Sequence, residues 1–351
     1  MFEKLLMLNT LKNQHIIEPV DDENVVIKDA IGIQAQYINN ALFAIAIRHT
    51  NMPVALNANI VRKVWSFRGT LHLHIADEAS SIIGILRNEW YARWGKYMSS
   101  IFTGEARKEI QNQTCQLIES GFYNRQMLRD ECLRLNFHPQ TIENAFSSWG
   151  GILKDLNYDG KIHFSEYDQL NFSLGTDFLS DNAEQIRVGT DIIKRYFSFY
   201  GPATLSDFCY WSGVSQFLGR QWLISAENHL SYETNEKGKK YYYIGKMDEN
   251  LNGMPKCIFL GGFDPIMLAY KDKSRWLKPE HHSSVFSKNG FVHNVILIDG
   301  MARATWKIEK GVLRVTIFEP IESNTRKTIS DFVESSKFMN CNDIVYTRLK
   351  R

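Results

Sequence analysis

Apolar residues along the chain recur with two periods, and the order of those periods is the first statement the sequence makes about architecture. VVIKDAIGIQAQ (25–36) and ALFAIAIRHT (41–50) carry the spacing of amphipathic helices, with Asn39-Asn40 as a breaker pair between them. Asn57 predicts an N-cap for a further helix, ANIVRKVWSF, because its side-chain oxygen can accept from an otherwise unpaired amide. After Gly69 the period drops to two. In TLHLHIA, Leu71 and Leu73 alternate with His72 and His74, which predicts a strand with one apolar face.

Helices followed by extended segments recur twice more. GFYNRQMLRDECLRL and TIENAFSSWGGILKDL read as helices ahead of NYDGKIHFS, where Asp159-Gly160 predicts a hairpin turn. GTDIIKRYFSFY, TLSDFCYWSGVS and a helix from about Gln216 to Leu230 precede SYETNEKGKKYYYIG, in which Glu236 to Lys240 form a charged tip between extended flanks. This order is that of a winged-helix unit, and a recurrence of roughly 70 to 100 residues is too long for a solenoid and fits tandem domains. The pattern then becomes a meander. VILIDG, ARATWKIEKG and VLRVTIFEP are strand-like runs separated by Asp299-Gly300 and by Glu309 to Gly311, and TISDFVESSKFM reads as a closing helix. The expected class is α+β: winged-helix (helix-turn-helix) domains at 1–115, 116–180 and 181–250, then a small C-terminal β domain at 251–351.

Composition narrows the functions. With 351 residues, 44% hydrophobic and 13% aromatic, the chain has ample core material for more than one domain, which excludes disordered and collagen-like readings. The longest apolar run, Ala41 to Ile47, is far short of the roughly 20 residues of a membrane span. At the N-terminus, Glu3 and Lys4 precede a short apolar stretch without a small-residue cleavage site, so it reads as an amphipathic helix and not a signal peptide. Cys115, Cys132, Cys209, Cys257 and Cys341 are odd in number and form no CxxC pair, which argues against a disulfide scaffold and for a reducing cytoplasm.

Charge changes the picture only locally. The 41 Lys and Arg nearly cancel the 39 Asp and Glu, leaving +2, so a polyanion-binding surface must come from clustering. Three clusters interleave cations with aromatics: Arg62, Lys63 and Arg68; Arg87, Arg93 and Lys96 with Trp90, Trp94 and Tyr97; and Lys271, Lys273, Arg275 and Lys278 around Trp276. Cations beside aromatic rings suit a phosphate backbone and an exposed base. His72 and His74 share a strand face that could touch DNA or a pocket edge, though HxH on a strand more often reads as ordinary packing, and no third ligand near them supports zinc. His281-His282 falls in a polar loop that could probe DNA or could equally be simply solvated, and Asp264 before Pro265 reads as a turn or cap residue. GxGxxG, the P-loop, HExxH and GxSxG are all missing, and Gly150-Gly151 and Gly261-Gly262 lack the strand-to-helix context of phosphate loops.

GIQAQ (32–36), FRGTLHLH (67–74), YGPATLSDFCYWSGVS (200–215), FLGGFDPIMLAYKDKSRW (259–276) and ILIDGMARATWK (296–307), taken together and in this order, resemble the AlkZ/AlkX (YcaQ) family of winged-helix DNA glycosylases. The resemblance covers residues 32 to 307. It implies tandem winged helices and a C-terminal β domain forming a concave scaffold for duplex DNA, and excision of alkylated bases in base excision repair, with interstrand crosslinks unhooked by some members. Gln34 and Gln36 flank Ala35, as in the AlkZ-like subgroup with its Gln-x-Gln motif, and the resemblance implies that these two are catalytic. Arg62, Lys63, Arg68, His72, His74, Lys271, Lys273, Arg275, His281 and His282 are the expected DNA contacts. No metal and no cofactor are expected, and a monomer suits a protein that encloses DNA.

The chemistry is consistent with neutral side chains. An N7- or N3-alkylated purine is already cationic, so its bond to the sugar breaks without a general acid. Glutamine carbonyls can then orient an attacking water and face the charge developing at the sugar carbon. In a continuous helix residues i and i+2 point to different faces, so the motif must lie where helical geometry ends. Nothing singles out one lysine for Schiff-base chemistry, which predicts a monofunctional glycosylase. The alternative is a non-catalytic winged-helix DNA-binding protein or regulator.

Overall fold

The computed structural model describes residues 1–50, 54–175, 182–250, 253–336, 339, 341 and 343–349. Helices α1 (Phe2–Asn13) and α2 (Glu23–Asp29), the short strand β1 (Ile33–Gln34) and helix α3 (Ile38–Ala46) come before an antiparallel pair, β2 (Val61–Trp65) and β3 (Leu71–Ile75). The long helix α4 (Ala76–Ile101) leads to α5 (Gly104–Glu119), α6 (Arg125–Arg134), α7 (Pro139–Ala145) and α8 (Gly151–Tyr158). The hairpin of β4 (Ile162–Phe164) and β5 (Phe172–Leu174) follows. Helices α9 (Asn182–Phe199), α10 (Leu205–Ser212) and α11 (Gln216–Ala226) precede a third hairpin, β6 (Ser231–Thr234) and β7 (Lys240–Tyr243), whose tip holds the predicted charged turn.

The C-terminal part is a five-stranded sheet. Strands β8 (Cys257–Leu260), β9 (Val295–Ile298), β10 (Met301–Glu309) and β11 (Val312–Ile317) pair antiparallel in sequence order, with the one-turn helices α12 (Pro265–Leu268) and α13 (His282–Val285) between β8 and β9. Helix α14 (Ser323–Ser335) crosses the sheet and returns the chain as β12 (Asp343–Arg348), which lies parallel to β11. Parallel neighbours need such a crossover. Ile329 and Val333 of α14 bury against Phe259, Ile296, Leu313 and Val315, and Phe332 stacks on Phe259 at 4.5 Å. Phe43 of α3 joins the same core.

Contacts group the chain into two compact units, each assembled from separated stretches: Met1–Ala55, Ile193–Trp211 and Ala226–Arg351 in the first, Leu56–Ile192 and Ser212–Ser225 in the second. The expected boundaries near 181 and 251 fall on residues outside the description, as do Lys337 and Phe338 at the end of the predicted closing helix.

Several predicted elements change. ANIVRKVWSF is a strand: Asn57 caps only a turn, accepting from the Asn59 amide at 2.9 Å, and Val61, Val64 and Trp65 suit the pleat. β3 has no wet face, since His72 and His74 are buried along with Leu71 and Leu73. TIENAFSSWGGILKDL is two helices, interrupted where Gly150 and Gly151 take positive φ. Asp159-Gly160 ends α8 instead of turning a hairpin: Gly160 sits at φ 73°, its amide donates to the Asn157 carbonyl and that of Lys161 to Leu156, the paired bonds of a left-handed helix stop.

Candidate active site

The Gln-x-Gln segment lies in the first unit between two helices, and its geometry starts at the end of α2. Amides of Ile31 and Gly32 donate to the carbonyls of Lys28 and Ile27, closing that helix with Ile31 at φ 57° and Gly32 at φ 103°. A left-handed backbone is routine for glycine and an outlier for a β-branched residue, and buried Ile31 keeps it only because its surroundings hold it there. The chain is then extended at Ile33–Gln34 and bends at Gln36 and Tyr37 before α3 begins. The break therefore comes at Ala30 to Gly32, upstream of the motif. Asn39-Asn40, the predicted breaker, sits inside the first turn of α3. Gln34 is 8% exposed, whereas Gln36 lies on the surface. The helical geometry that would turn the two to different faces is absent.

Hydrogen bonds anchor the elements on both sides of this segment. Upstream, the Tyr200 hydroxyl donates to the Ala30 carbonyl at 3.0 Å and Arg195 reaches the Lys28 carbonyl. Downstream, Arg48 just past α3 forms a bidentate pair with Asp264, both bonds 2.9 Å and both side chains fully buried. Arg48 also donates to Gln14 at 3.2 Å. The Tyr270 hydroxyl donates to the Tyr200 carbonyl at 2.7 Å, joining the two flanks. Burial pushes the Tyr270 phenol up to about 12 and raises the Tyr200 phenol as well, so both stay neutral donors. Asp264 is the cap its sequence suggested, accepting from the Ile266 amide at the start of α12.

Gly261-Gly262 does stand between a strand, β8, and the short helix α12, but it serves packing. A Cβ on Gly261 would come 3.0 Å from the Phe43 ring, and one on Gly262 2.7 Å from the Val292 carbonyl. The Gly262 amide is already bonded to Asn294, at 2.6 Å, so it is not offered to a phosphate. Beyond the glycines Phe263 takes φ 60° and stacks on Tyr37, the residue after Gln36. Tyr37, Phe263 and Asn294 were not found by pattern, because neither alternation nor helical spacing marks them; the glycine pair was the one local signal.

The predicted DNA contacts divide. Lys271 and His282 are exposed, and Arg62, Arg68, Lys273 and His281 are half-buried. Lys63 and Arg275 are interior, which departs from the surface role expected of them. The Lys63 ammonium donates to the Gln169 carbonyl at 2.6 Å and lies over the Phe164 ring, and burial brings its pKa down to about 8. Arg275 donates to the Pro202 carbonyl at 2.9 Å, lies over Tyr270, and is followed by a fully buried Trp276 that offers no stacking surface. His72 and His74 do share a face, with ring centroids 5.8 Å apart, but the face is internal. The Ser66 hydroxyl lies between them, 3.1 Å from His72 Nδ1 and 2.8 Å from His74 Nε2, and burial holds the His72 pKa well below its ordinary value. Lys273 donates to the Met267 carbonyl at 2.7 Å, and its ammonium lies over Tyr210 and Phe286. His281 shares Glu319 with Lys278, which compensates the acidic charge of the Glu280, His281 and Glu319 cluster. On α4 the predicted cluster is polarised: Trp90 is buried against Tyr158, whereas Trp94, Lys96 and Tyr97 are exposed.

Comparison with known proteins places the chain among AlkZ-like DNA glycosylases. Its fold is that of the Streptomyces sahachiroi DNA glycosylase AlkZ, with a TM-score of 0.77 over 99% of both chains at 22% identity. A protein of the same organism named interstrand DNA cross-link repair glycosylase is 28% identical over 314 residues, covering 83% of each chain. The model of the AlkZ-like DNA glycosylase family matches residues 27–335, and the chain belongs to that family. No helix among the described residues is long and apolar enough to cross a membrane.

Proposed function

We propose that this protein hydrolyses the N-glycosidic bond of cationic, N7- or N3-alkylated purines in DNA, and that it unhooks interstrand crosslinks made through such bonds, as the name of its curated relative describes. The observation that carries the reading is the non-helical Gln34–Gln36 segment, with a buried hydrogen bond at Ala30 ahead of it and the buried Arg48–Asp264 pair just past the helix that follows it. Electrostatic catalysis needs dipoles fixed before the reaction starts, and anchored elements on either side of the segment favour that. Gln34 and Gln36 hold a water by their carbonyl oxygens and face the sugar. The C1′–N bond breaks with its electron pair passing to the base, which leaves neutral. The water oxygen bonds to C1′ and its proton passes to solvent. No lysine forms a covalent intermediate, so the enzyme is monofunctional.

The three passes of helices and hairpin are read as winged-helix modules that bring cations to the duplex, and Arg62, Arg68, Lys271, Lys273, His281 and His282 are the proposed contacts. The protein acts as a monomer in the cytoplasm. The test is single-turnover release of N7-methylguanine from a duplex. The Gln34→Ala/Gln36→Ala variant is expected to lose at least about 100-fold in rate, the scale of removing one preorganised polar group, with duplex affinity within about twofold of the parent. Release at the parent rate by the double variant removes the glutamines from the mechanism. No release by the parent protein leaves the DNA-binding, non-catalytic reading.

A further inference from the structure

The residue after the glutamine pair bears an aromatic ring that half faces solvent. Tyr37 is 50% exposed although its ring is stacked on Phe263, centroids 5.4 Å apart and planes 27° from parallel. Phe291 meets Tyr37 edge-on at 5.4 Å and Phe263 edge-on at 5.2 Å, so the three rings form one block. The base of the block is rigid. Phe263 is buried and held at φ 60° between Gly262, bonded to Asn294, and Asp264, bonded to Arg48. An aromatic residue kept in the left-handed region beside a candidate active site is strain that the surroundings maintain.

Phe263 thus covers the Tyr37 ring from one side, while half of the side chain stays exposed to solvent. Several other tyrosine rings in this unit carry one of the protein's own cations: Lys240 over Tyr232 at 4.1 Å, Lys273 over Tyr210 at 4.8 Å and Arg275 over Tyr270 at 4.8 Å. Among the described residues no Lys or Arg sits over Tyr37. A π-face attracts a cation and stacks on any base, and an alkylated purine is both. A neutral purine gains the stacking alone.

We propose that Tyr37, backed by Phe263 and Phe291, is the platform on which the positively charged purine lies while the glutamines address its sugar, and that it is a specificity-determining residue for cationic lesions. This rests on the glycosylase reading above. As the glycosidic bond breaks the base loses its charge, the ring's hold weakens, and the product is released more readily than the substrate.

The test uses the full chain and duplexes carrying a 2′-fluoro N7-methylguanine nucleotide, whose glycosidic bond resists cleavage, against the same duplex undamaged. The readout is the ratio of the two affinities, with thermal unfolding to verify the fold. Tyr37→Leu, which fills the space over Phe263 without a π-face, is expected to reduce the preference for the cationic lesion roughly tenfold at unchanged affinity for undamaged DNA. Tyr37→Phe and Tyr37→Trp are expected to keep the preference, and single-turnover release on natural N7-methylguanine should follow the same order. A preference in Tyr37→Leu equal to the parent's, or one lost equally in Tyr37→Phe, overturns the platform. Absence of base release by the parent protein overturns the glycosylase reading instead, so the two failures are separate outcomes.

Discussion

Arg48 and Asp264 are the most consequential pair of side chains outside the motif, because together they tie the end of α3 to the turn that carries Phe263. A bidentate guanidinium–carboxylate pair satisfies both partners, but removing either leaves an uncompensated charge in the interior, at about 3–5 kcal/mol. Arg48→Met is expected to destabilise the first unit by that amount, and Arg48→Met/Asp264→Asn by less than the sum of the two single changes, measured by urea unfolding of the three variants. A sum equal to the parts would mean that the two groups are not coupled. Residue types were legible here only in part. Asp264 before Pro265 announced a cap, which it is, yet nothing within the sequence pointed to Arg48, 216 residues away, as its partner. Gln34 and Gln36 were legible through the family pattern, while their unequal burial was not. Burial depends on what packs around an extended segment, and two glutamines look the same in any context.

At the scale of elements, the β2–β3 hairpin shows how a sequence pattern misleads. Alternation of Leu71 and Leu73 with His72 and His74 gave the strand correctly, and the implied wet face wrongly, because Ser66 supplies a polar partner that lets two imidazoles stay inside. Such a hairpin must respond to acid. The folded state holds His72 neutral well below the ordinary histidine pKa near 6.5, so the unfolded chain binds the proton first as pH falls. The contribution is present in full above about pH 6.5 and is lost as pH drops, by up to about 1.4 kcal/mol per pH unit. Urea midpoints between pH 7.5 and 5 are expected to fall for the parent and to fall less steeply for His72→Asn; parallel slopes would show that another group carries the effect. Asp159-Gly160 teaches the same lesson from the turn side. Glycine at positive φ serves a hairpin or a helix stop equally, and the choice is made by whether α8 precedes it.

For the whole molecule, a net charge of +2 makes duplex affinity a matter of where the exposed cations sit. Each lysine on a phosphate contributes about one unit to the slope of log affinity against log salt. Lys96→Ala and Lys271→Ala, both exposed, are expected each to flatten that slope by about one without changing which base is released; an unchanged slope assigns that lysine to bulk solvent. Taken alone, the sequence determined the recurrence of helices followed by extended segments, the closing β meander and the Gln-x-Gln family motif, since periodicity and short motifs are local properties. It missed the parallel return of β12, the division of the chain into two units built from separated stretches, the burial of Lys63 and Arg275, and the aromatic block around Tyr37. Those were decided by contacts between residues far apart in the chain, where a lysine stem, a strained Phe263 and two glycines have the environment that fixes their roles only once the tertiary structure has closed around them.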